Sequence, residues 1–315
     1  MTSPSFARLR KAAARAGLEP ARFTPEASEG RALEAVTRQS RLVEGETVAW
    51  HPVGTAEPWP DPVAFLDGTQ HYEIIAYDGA SPIFAAEIGA AVRERRERRL
   101  TRAVSLHRRL VVGRRAGLEA LAEAPDGFEP IAIPEDEPPH PVRDQLLARR
   151  AVDDERGRLE VEAGGEYRAG ADGWLVVDGS LAQSPLWAAD PRMVGVVKSH
   201  SALPFDGEDL VHYLRLPCFH RSSVFAAEQR MVAPVYSWAL RLWPWEGKDL
   251  LHGLVRIEAA PTGETLAAAD QLSRWLLAER APLSAPDPRW DRMLYGIRAV
   301  EVGLKGERGA GSRER

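Results

Sequence analysis

Two aspartates each follow a short apolar run and precede a glycine and a hydroxyl residue. Asp67 comes after Val63–Leu66 and is followed by Gly-Thr, and Asp178 comes after Trp174–Val177 and is followed by Gly-Ser. Carboxylates that converge from strand ends are typical ligands of Mg²⁺ or Mn²⁺, which prefer hard oxygen atoms. An Asp-Gly pair after an apolar run is also a common turn signal. The pattern therefore predicts either a divalent-metal site or two ordinary turns.

A lysine follows the next apolar run along the chain. Met193–Val197 has the composition of a buried strand, and Lys198 comes directly after it. An acid and a base at the ends of successive strands are expected on one edge of an α/β sheet, where such folds build their sites. The compact charge of Lys198 would offset that of a phosphate. His200 either reaches the same site or has a structural role.

A predicted helix over residues 142–168 supplies further carboxylates just before the Asp178 strand. Its apolar residues have helical spacing, and it carries Glu155, Glu160 and Glu162. One of these glutamates would complete a site of three acids, while each of them could equally face solvent. Three carboxylates brought together repel one another, so without a metal at least one should have a raised pKa.

Composition limits the function classes. The chain has 315 residues, 44% of them hydrophobic, which allows one large domain or two. The net charge of −5 excludes a uniformly basic nucleic-acid coat, so contact with a polyanion would need a local patch. Arg93–Arg115 contains ten arginines against two glutamates. This segment predicts either a phosphate-binding track or a solvated charged face.

The single cysteine and the absence of long apolar runs indicate a cytoplasmic protein. With Cys218 alone, neither a disulfide nor a thiolate metal site can form within one chain. No apolar run approaches the ~20 residues that span a bilayer, and no signal peptide is visible. We therefore expect no membrane partner.

The remaining pattern predicts an α/β fold. Residues 1–60 are expected to form a helical extension that includes a basic amphipathic helix over 1–20 and a helical piece over Gly30–Glu44. Three strands should form a meander over Val63–Asp67, His71–Tyr77 and Pro82–Val92. Two further strands are predicted over 233–243 and 251–259, and helices over 206–214, 266–281 and 290–304. Residues 305–315 are expected to form a polar disordered tail.

An ordered set of short motifs resembles the NurA family of prokaryotic nucleases. Each motif is weakly specific, but together they span about residues 61 to 304 in the order found in that family. The matching segments are Phe65–Thr69, Leu175–Leu181, Val194–Ser199, Arg221–Phe225, Pro234–Trp238, Val255–Glu258 and Asp291–Leu304. The resemblance implies an RNase H-like fold, with a central mixed sheet flanked by helices in a nuclease domain over 61–304. It also implies DNA cleavage that depends on Mn²⁺ or Mg²⁺, a homodimer, and a HerA-type hexameric ATPase as partner.

The resemblance assigns roles to individual residues. Asp67 and Asp178 match the metal-binding aspartates of the family, and Lys198 would act beside the scissile phosphate. Glu160 fits the helical metal-binding glutamate best, with Glu155 as the reserve.

The C-terminal motif departs from the family pattern. Members often carry a tyrosine and, eight residues later, a histidine near the metal, where this chain has Trp290 and Arg298. Arg298 cannot bind a cation but could hold a phosphate, as could Arg221 and His200. The expected function is therefore a metal-dependent DNA nuclease acting with a HerA-type translocase in DNA end processing, repair or defence. The alternative is a catalytically weak or inactive DNA-binding adaptor of a translocase.

Overall fold

A computed structural model describes residues 36–37, 40–120, 127–200, 202–227, 233–281 and 290–311. The strands are β1 (Val36–Thr37), β2 (Ser40–Leu42), β3 (Trp50–Pro52), β4 (Val63–Asp78), β5 (Ser81–Arg96), β6 (Arg99–Gly113), β7 (Phe128–Ala132), β8 (Trp174–Asp178), β9 (Met193–Val197), β10 (Ala202–Leu203), β11 (His220–Ser222), β12 (Phe225–Ala227), β13 (Tyr236–Arg241) and β14 (Leu254–Ala259). The helices are α1 (Arg115–Ala120), α2 (Pro141–Arg168), α3 (Pro185–Ala189), α4 (Gly207–Leu214), α5 (Gly263–Ala278) and α6 (Tyr295–Gly311), with short 3₁₀ turns at Leu181–Gln183 and Trp290–Arg292.

The chain divides into two compact units. Unit 1 takes its described residues from Met1–Pro58, Gly179–Pro191 and Val196–Met293. Unit 2 takes its described residues from Trp59–Asp178, Arg192–Gly195 and Leu294–Arg315. The two units are described separately below.

Unit 2 is built on three long antiparallel strands. The strand order is β7-β6-β5-β4-β8, with β4–β5 and β5–β6 antiparallel and β4–β8 parallel. The parallel register pairs Val63 with Trp174 and ends at the pair Leu66 and Val177. A meander followed by a strand parallel to its first member agrees with the RNase H-like mixed sheet that the resemblance implied.

Helix α2 packs against β4, β5 and β6 of this sheet. Pro141 occupies the first turn, where its missing N–H costs nothing, and His140 caps the helix by accepting from Arg143 N at 3.3 Å. Its buried positions recur every three or four residues, as expected for a helix that covers a sheet. They are Asp144, Ala148, Val152, Glu155, Leu159, Glu160, Ala163, Gly164 and Tyr167.

Helix α6 covers the opposite face of β4. A Cβ added at Gly296 of α6 would lie 2.5 Å from the Phe65 ring, so this glycine lets the helix approach the strand closely. Phe65 and Gly68 have opposite parity in β4, and Gly68 faces α2. The sheet of unit 2 is therefore flanked by helices on both faces, and the predicted α/β class with a mixed sheet is confirmed.

Unit 1 is organised around the antiparallel pair β13–β14, in the order β2-β12-β13-β14, with β11 joining β13 to β3. The Trp238 indole N–H donates to Ser273 Oγ at 2.9 Å and ties β13 to α5. Its core includes Val48, Phe205, Tyr213, Leu216, Phe225, Ala239 and Leu254.

A buried arginine fastens the end of α4 to the turn before β14. The Arg241 guanidinium donates to the carbonyls of Leu214 at 2.7 Å, Leu216 at 3.1 Å, Leu250 at 3.0 Å and also His252. Burial lowers the pKa of Arg241 to about 10, so the group stays protonated at neutral pH. The cation is therefore held chiefly by carbonyl dipoles.

Several predicted boundaries were wrong. The strands predicted over Val63–Asp67 and His71–Tyr77 are one continuous strand, β4, because its ladder with β5 runs through Gly68 and Thr69. The helical piece predicted over Gly30–Glu44 is wrong where it is described, since β1 and β2 lie there.

The C-terminal prediction was also wrong, and part of the N-terminal prediction lies outside the described residues. Helix α6 continues to Gly311, where a disordered tail was expected from 305. The helix predicted over 1–20 lies outside the described residues, and the limits of the 1–60 extension remain a prediction. No helix in the described ranges is both long and apolar enough to cross a membrane.

Candidate metal and phosphate site

Asp67 and Asp178 lie at neighbouring positions of two parallel strands. Each comes one residue after the last registered pair of β4 and β8, Leu66 and Val177. Asp67 is buried, and its Oδ1 accepts from the Gly68 backbone N–H at 2.8 Å. Asp178 is partly exposed where β8 ends. Asp178 ends β8, whereas Asp67 lies inside β4, which continues to Asp78. The two aspartates are therefore neighbours on adjacent strands, and their predicted role as metal ligands remains a prediction.

Glu160 reaches the same strand from helix α2. Its side chain lies against the backbone of Gly68, and a Cβ at that position would be 2.1 Å from Oε1. Only glycine leaves room for the carboxylate there, although Gly68 is not at a positive φ. The glycine of the Asp-Gly-Thr motif thus makes space for a third acid beside β4, and does not form a turn.

Burial and neighbouring charges shift the pKa of Glu160. The residue is 4% exposed. Its pKa is raised to about 7, chiefly by burial, while the nearby Arg156 opposes the rise and Asp178 adds to it. The sequence analysis expected a raised pKa from repulsion between clustered acids; the pKa of Glu160 is raised, but burial is the larger cause. The influence of Asp178 places these two carboxylates within electrostatic range of each other.

A polar stripe on α2 follows the face of β4 that carries Gly68. Arg149 stacks over Tyr72 with its guanidinium carbon 5.7 Å from the ring centre. Two residues before Tyr72, on the same face of β4, Gln70 Nε2 donates to Asp153 Oδ1 at 2.7 Å. These contacts fix the rotation of α2 about its axis, and Glu160 continues the same stripe one turn beyond Arg156.

Arg156 links the stripe to Glu160. Its Nε donates to Gln70 Oε1 at 3.1 Å, and its Nη1 forms an ion pair with Glu160 one helical turn away. About 28% of the Arg156 side chain is exposed, against 5% for Glu160. An internal cation therefore neutralises the buried carboxylate in this structure.

The carboxylates fit a hard divalent cation in kind, but they are not gathered around one point. Within the described ranges, no group of three or more His, Cys, Asp or Glu side chains is arranged to hold a metal ion. Alternation along β4 directs Asp67 to the α6 face, whereas Glu160 approaches from the α2 face. The available donors are nevertheless the carboxylate oxygens that Mg²⁺ and Mn²⁺ prefer. One of them, on Glu160, lies over Gly68 where a larger residue would carry its Cβ.

The other helical glutamates face different partners. Glu155, the reserve candidate, forms an ion pair with Arg158, and Glu162 forms one with Arg108 at 2.5 Å. Of the three glutamates considered, Glu160 is the one whose carboxylate lies over Gly68.

Arg298 lies on α6, which packs against β4, β5 and β8 of unit 2. Its Nη1 donates to Glu301 Oε2 at 3.0 Å, and about 31% of its side chain is exposed. It therefore keeps an accessible positive charge on the helix that covers the Asp67 face. Lys198 follows β9 and belongs to unit 1, so its predicted role beside a phosphate remains a prediction.

Two predicted phosphate-binding residues are held in other interactions. Arg221 is 4% exposed and makes a two-pronged ion pair with Glu44, at 2.6 and 2.9 Å, and another with Asp270 at 2.5 Å. His200 lies 3.0 Å from the Leu254 carbonyl, and burial lowers its pKa to about 4. It is therefore neutral at pH 7, and we leave both residues out of the site.

The arginine-rich segment Arg93–Arg115 comprises the end of β5, the hairpin turn and β6. Several of its arginines pair with acids of unit 2, including Arg96 with Glu94 and Arg109 with Glu87 at 3.3 Å. Arg114 is buried against Asp144. Part of the expected phosphate track therefore has a structural role.

No family model matches the chain, and no curated protein matches it. Among solved structures, the chain is similar to the crystal structure of the NurA nuclease from Sulfolobus solfataricus. The identity is 10%, the match covers 84% of this chain and 88% of that one, and the TM-score is 0.44. At this level of similarity, function has to be inferred from the residues themselves.

Sequence reasoning missed the roles of two charged residues, one in each unit. Arg156 had a usable signal, because it precedes Glu160 by four residues, the spacing of a helical ion pair. Glu258 had none. It is fully buried in unit 1 and accepts from Ser180 Oγ at 2.7 Å and Leu181 N at 2.9 Å, which anchors the 3₁₀ turn at Leu181–Gln183 of the same unit.

Proposed function

We propose that the protein is a metal-dependent DNA nuclease of the NurA type. The observation that carries the proposal is the placement of Glu160 over Gly68, the residue that follows Asp67 in β4, and within electrostatic range of Asp178. Structural ion pairs also bring acids together, but here the strand glycine leaves room for a buried carboxylate that repels its neighbour. Such perturbed acids are more common at functional sites than elsewhere.

Asp67, Glu160 and Asp178 would hold Mn²⁺ or Mg²⁺. When bound, such ions activate a water and stabilise the charge that develops on the attacking and leaving oxygens of a phosphodiester. For Glu160 to take part, Arg156 has to release it. Gln70 already accepts from Arg156, and Asp153 fixes Gln70, so the guanidinium has a second anchor when it leaves the carboxylate.

The chain also offers positive charge for the DNA backbone. Arg298 keeps part of its surface accessible on α6. The exposed members of the β5–β6 hairpin, Arg98 and Arg99 at its tip among them, would contact phosphates without reading sequence. We also propose that the protein forms a homodimer and acts with a HerA-type ATPase. Only the motif resemblance supports these two points.

The test is cleavage of linear DNA with Mn²⁺ by the wild type and by Glu160→Gln and Asp178→Asn. Each substitution keeps the shape of the side chain and removes its charge, so activity should fall by a factor of at least about 10² if the carboxylates act in the reaction. Glu162→Gln is the matched control on the same helix, and it should cleave like the wild type. Equal cleavage by all four proteins would refute the proposal.

A second function is favoured by the ion pair between Arg156 and Glu160. A carboxylate already neutralised from within has less need of a metal, as expected for a DNA-binding adaptor without activity. Titration calorimetry separates the two functions. A nuclease should show heat of Mn²⁺ binding that is lost in Asp178→Asn, whereas an adaptor should show no heat of Mn²⁺ binding in the wild type.

A further inference from the structure

A solvent-exposed aromatic ring in unit 1 is held on a strained backbone. Phe219 is 39% exposed and has a φ of 60°, in the left-handed region that bulky residues avoid. It is the third residue of a turn closed by the His220 N–H to Pro217 carbonyl bond at 3.2 Å, a position at which glycine is the usual choice. Strain of this kind concentrates at functional positions.

The backbone on both sides of the ring is fixed. The Phe219 N–H donates to the Arg241 carbonyl at 2.9 Å, and the Phe219 carbonyl accepts from Val53 N at 3.1 Å. These two bonds hold the Phe219 backbone in its strained conformation, between β13 and the segment after β3.

A guanidinium covers one face of this ring. The Arg280 carbon lies 4.5 Å from the centre of Phe219 and 4.7 Å from the centre of Trp243, so the cation is packed between two aromatic groups. Because Arg280 takes one face of Phe219, the exposed part of the ring is its other face and edge.

The stack continues with further aromatic and cationic groups of unit 1. Trp243 packs edge-on against Trp290 with 5.5 Å between ring centres. Lys248 Nζ lies 5.2 Å from the centre of the Trp290 ring. Partly exposed aromatic rings alternating with cations are the arrangement by which proteins bind unpaired nucleic-acid strands, with bases on the rings and phosphates on the cations.

We propose that Phe219, backed by Arg280, is a stacking platform for an unpaired nucleobase of single-stranded DNA. The proposal rests on the proposed function for the class of polymer, but it concerns binding and not cleavage. The open face of Phe219 would take the base, while Arg280 and Lys248 supply positive charge for the adjoining phosphates.

The experiment measures binding of fluorescein-labelled oligo(dT) by anisotropy in EDTA, where no metal-dependent cleavage occurs. Phe219→Leu keeps apolar bulk at the strained position but removes the π-face, and Phe219→Tyr keeps the face. We expect Kd to rise about 5- to 150-fold in the leucine variant, the range of one lost base stack, and to stay near the wild-type value in the tyrosine variant. Leu186→Ala, at an 81% exposed apolar residue of the same unit, is the control and should bind like the wild type.

The outcomes are separable from those of the cleavage test. Unchanged affinity in Phe219→Leu, equal loss in the leucine and tyrosine variants, or an equal loss on duplex DNA would each overturn the platform. A wild type that fails to bind oligo(dT) would also overturn it. Phe219→Gly adds a stability readout: it should weaken binding without lowering Tm, because glycine relieves the strain. A lower Tm with intact binding would show that the ring is structural.

Discussion

Replacing Gly68 by alanine would test how the candidate site is built. The new Cβ would lie 2.1 Å from Glu160 Oε1, 2.9 Å from Cδ and 3.0 Å from Cγ, whereas ordinary contacts begin at 3.4 Å. The carboxylate oxygen must therefore retreat by about 1.3 Å, with its neighbouring atoms following. Gly68 is not at a positive φ, so the backbone itself accepts alanine and the effect acts through Glu160.

The size of the effect follows from the packing. Glu160 is buried and paired with Arg156, so it cannot swing into solvent freely. Overpacking of this kind costs about 1–3 kcal/mol of unfolding free energy. A displacement of about 1 Å at a reacting group costs about 10²-fold in rate, so cleavage should fall more than stability.

The assay is a double-mutant cycle in urea with Gly68→Ala, Glu160→Ala and both together. Glu160→Ala removes the atoms that the new Cβ would meet, so Gly68→Ala should cost little in that background, and the coupling free energy should be about 1–3 kcal/mol. Gly165→Ala is the control, because a Cβ there meets nothing within 4 Å. If the effects of Gly68→Ala and Glu160→Ala simply add, Glu160 does not occupy the space above Gly68 and the geometry of the site is wrong.

Two further predictions concern ion pairs of unit 2. Arg156→Gln removes the cation that competes for Glu160, so calorimetry at pH 8 should show Mn²⁺ bound several-fold more tightly than by the wild type; weaker binding would make Arg156 a supporting residue instead. The Asp144 carboxyl is buried against Arg114, which lowers its pKa from the ordinary 3.8 to about 2. Its ionised form therefore stabilises the fold above about pH 4, and this stabilisation is lost as the pH falls toward 2. Urea unfolding across this pH range should show a smaller loss of stability in Asp144→Asn than in the wild type, and parallel pH profiles would contradict the assignment.

Local sequence pattern was sufficient where a single segment determines the structure. Met193–Val197 is a strand with the predicted bounds, because an apolar β-branched run has one plausible conformation in a core. The strand before Asp178 and the long helix that carries Glu160 were also predicted correctly, since their periodicity does not depend on distant partners.

Prediction failed where the deciding contact lies far away in the chain. Gly68 looked like a turn residue, but the ladder to β5 carries the strand through it and Glu160, 92 positions later, occupies the vacant Cβ space. Arg221 looked available for phosphate until Glu44, at a sequence separation of 177, was found to pair with it. No local signal reveals such partners, because they are chosen by the fold.

The carbonyl cage around Arg241 ties two distant stretches of backbone into one cooperative element. Separating the end of α4 from the turn before β14 would leave a desolvated cation without its ligands, a cost well above that of breaking neutral hydrogen bonds. Amide protons in these two stretches should therefore exchange with solvent together and at a similar rate, although they lie more than thirty residues apart in the chain.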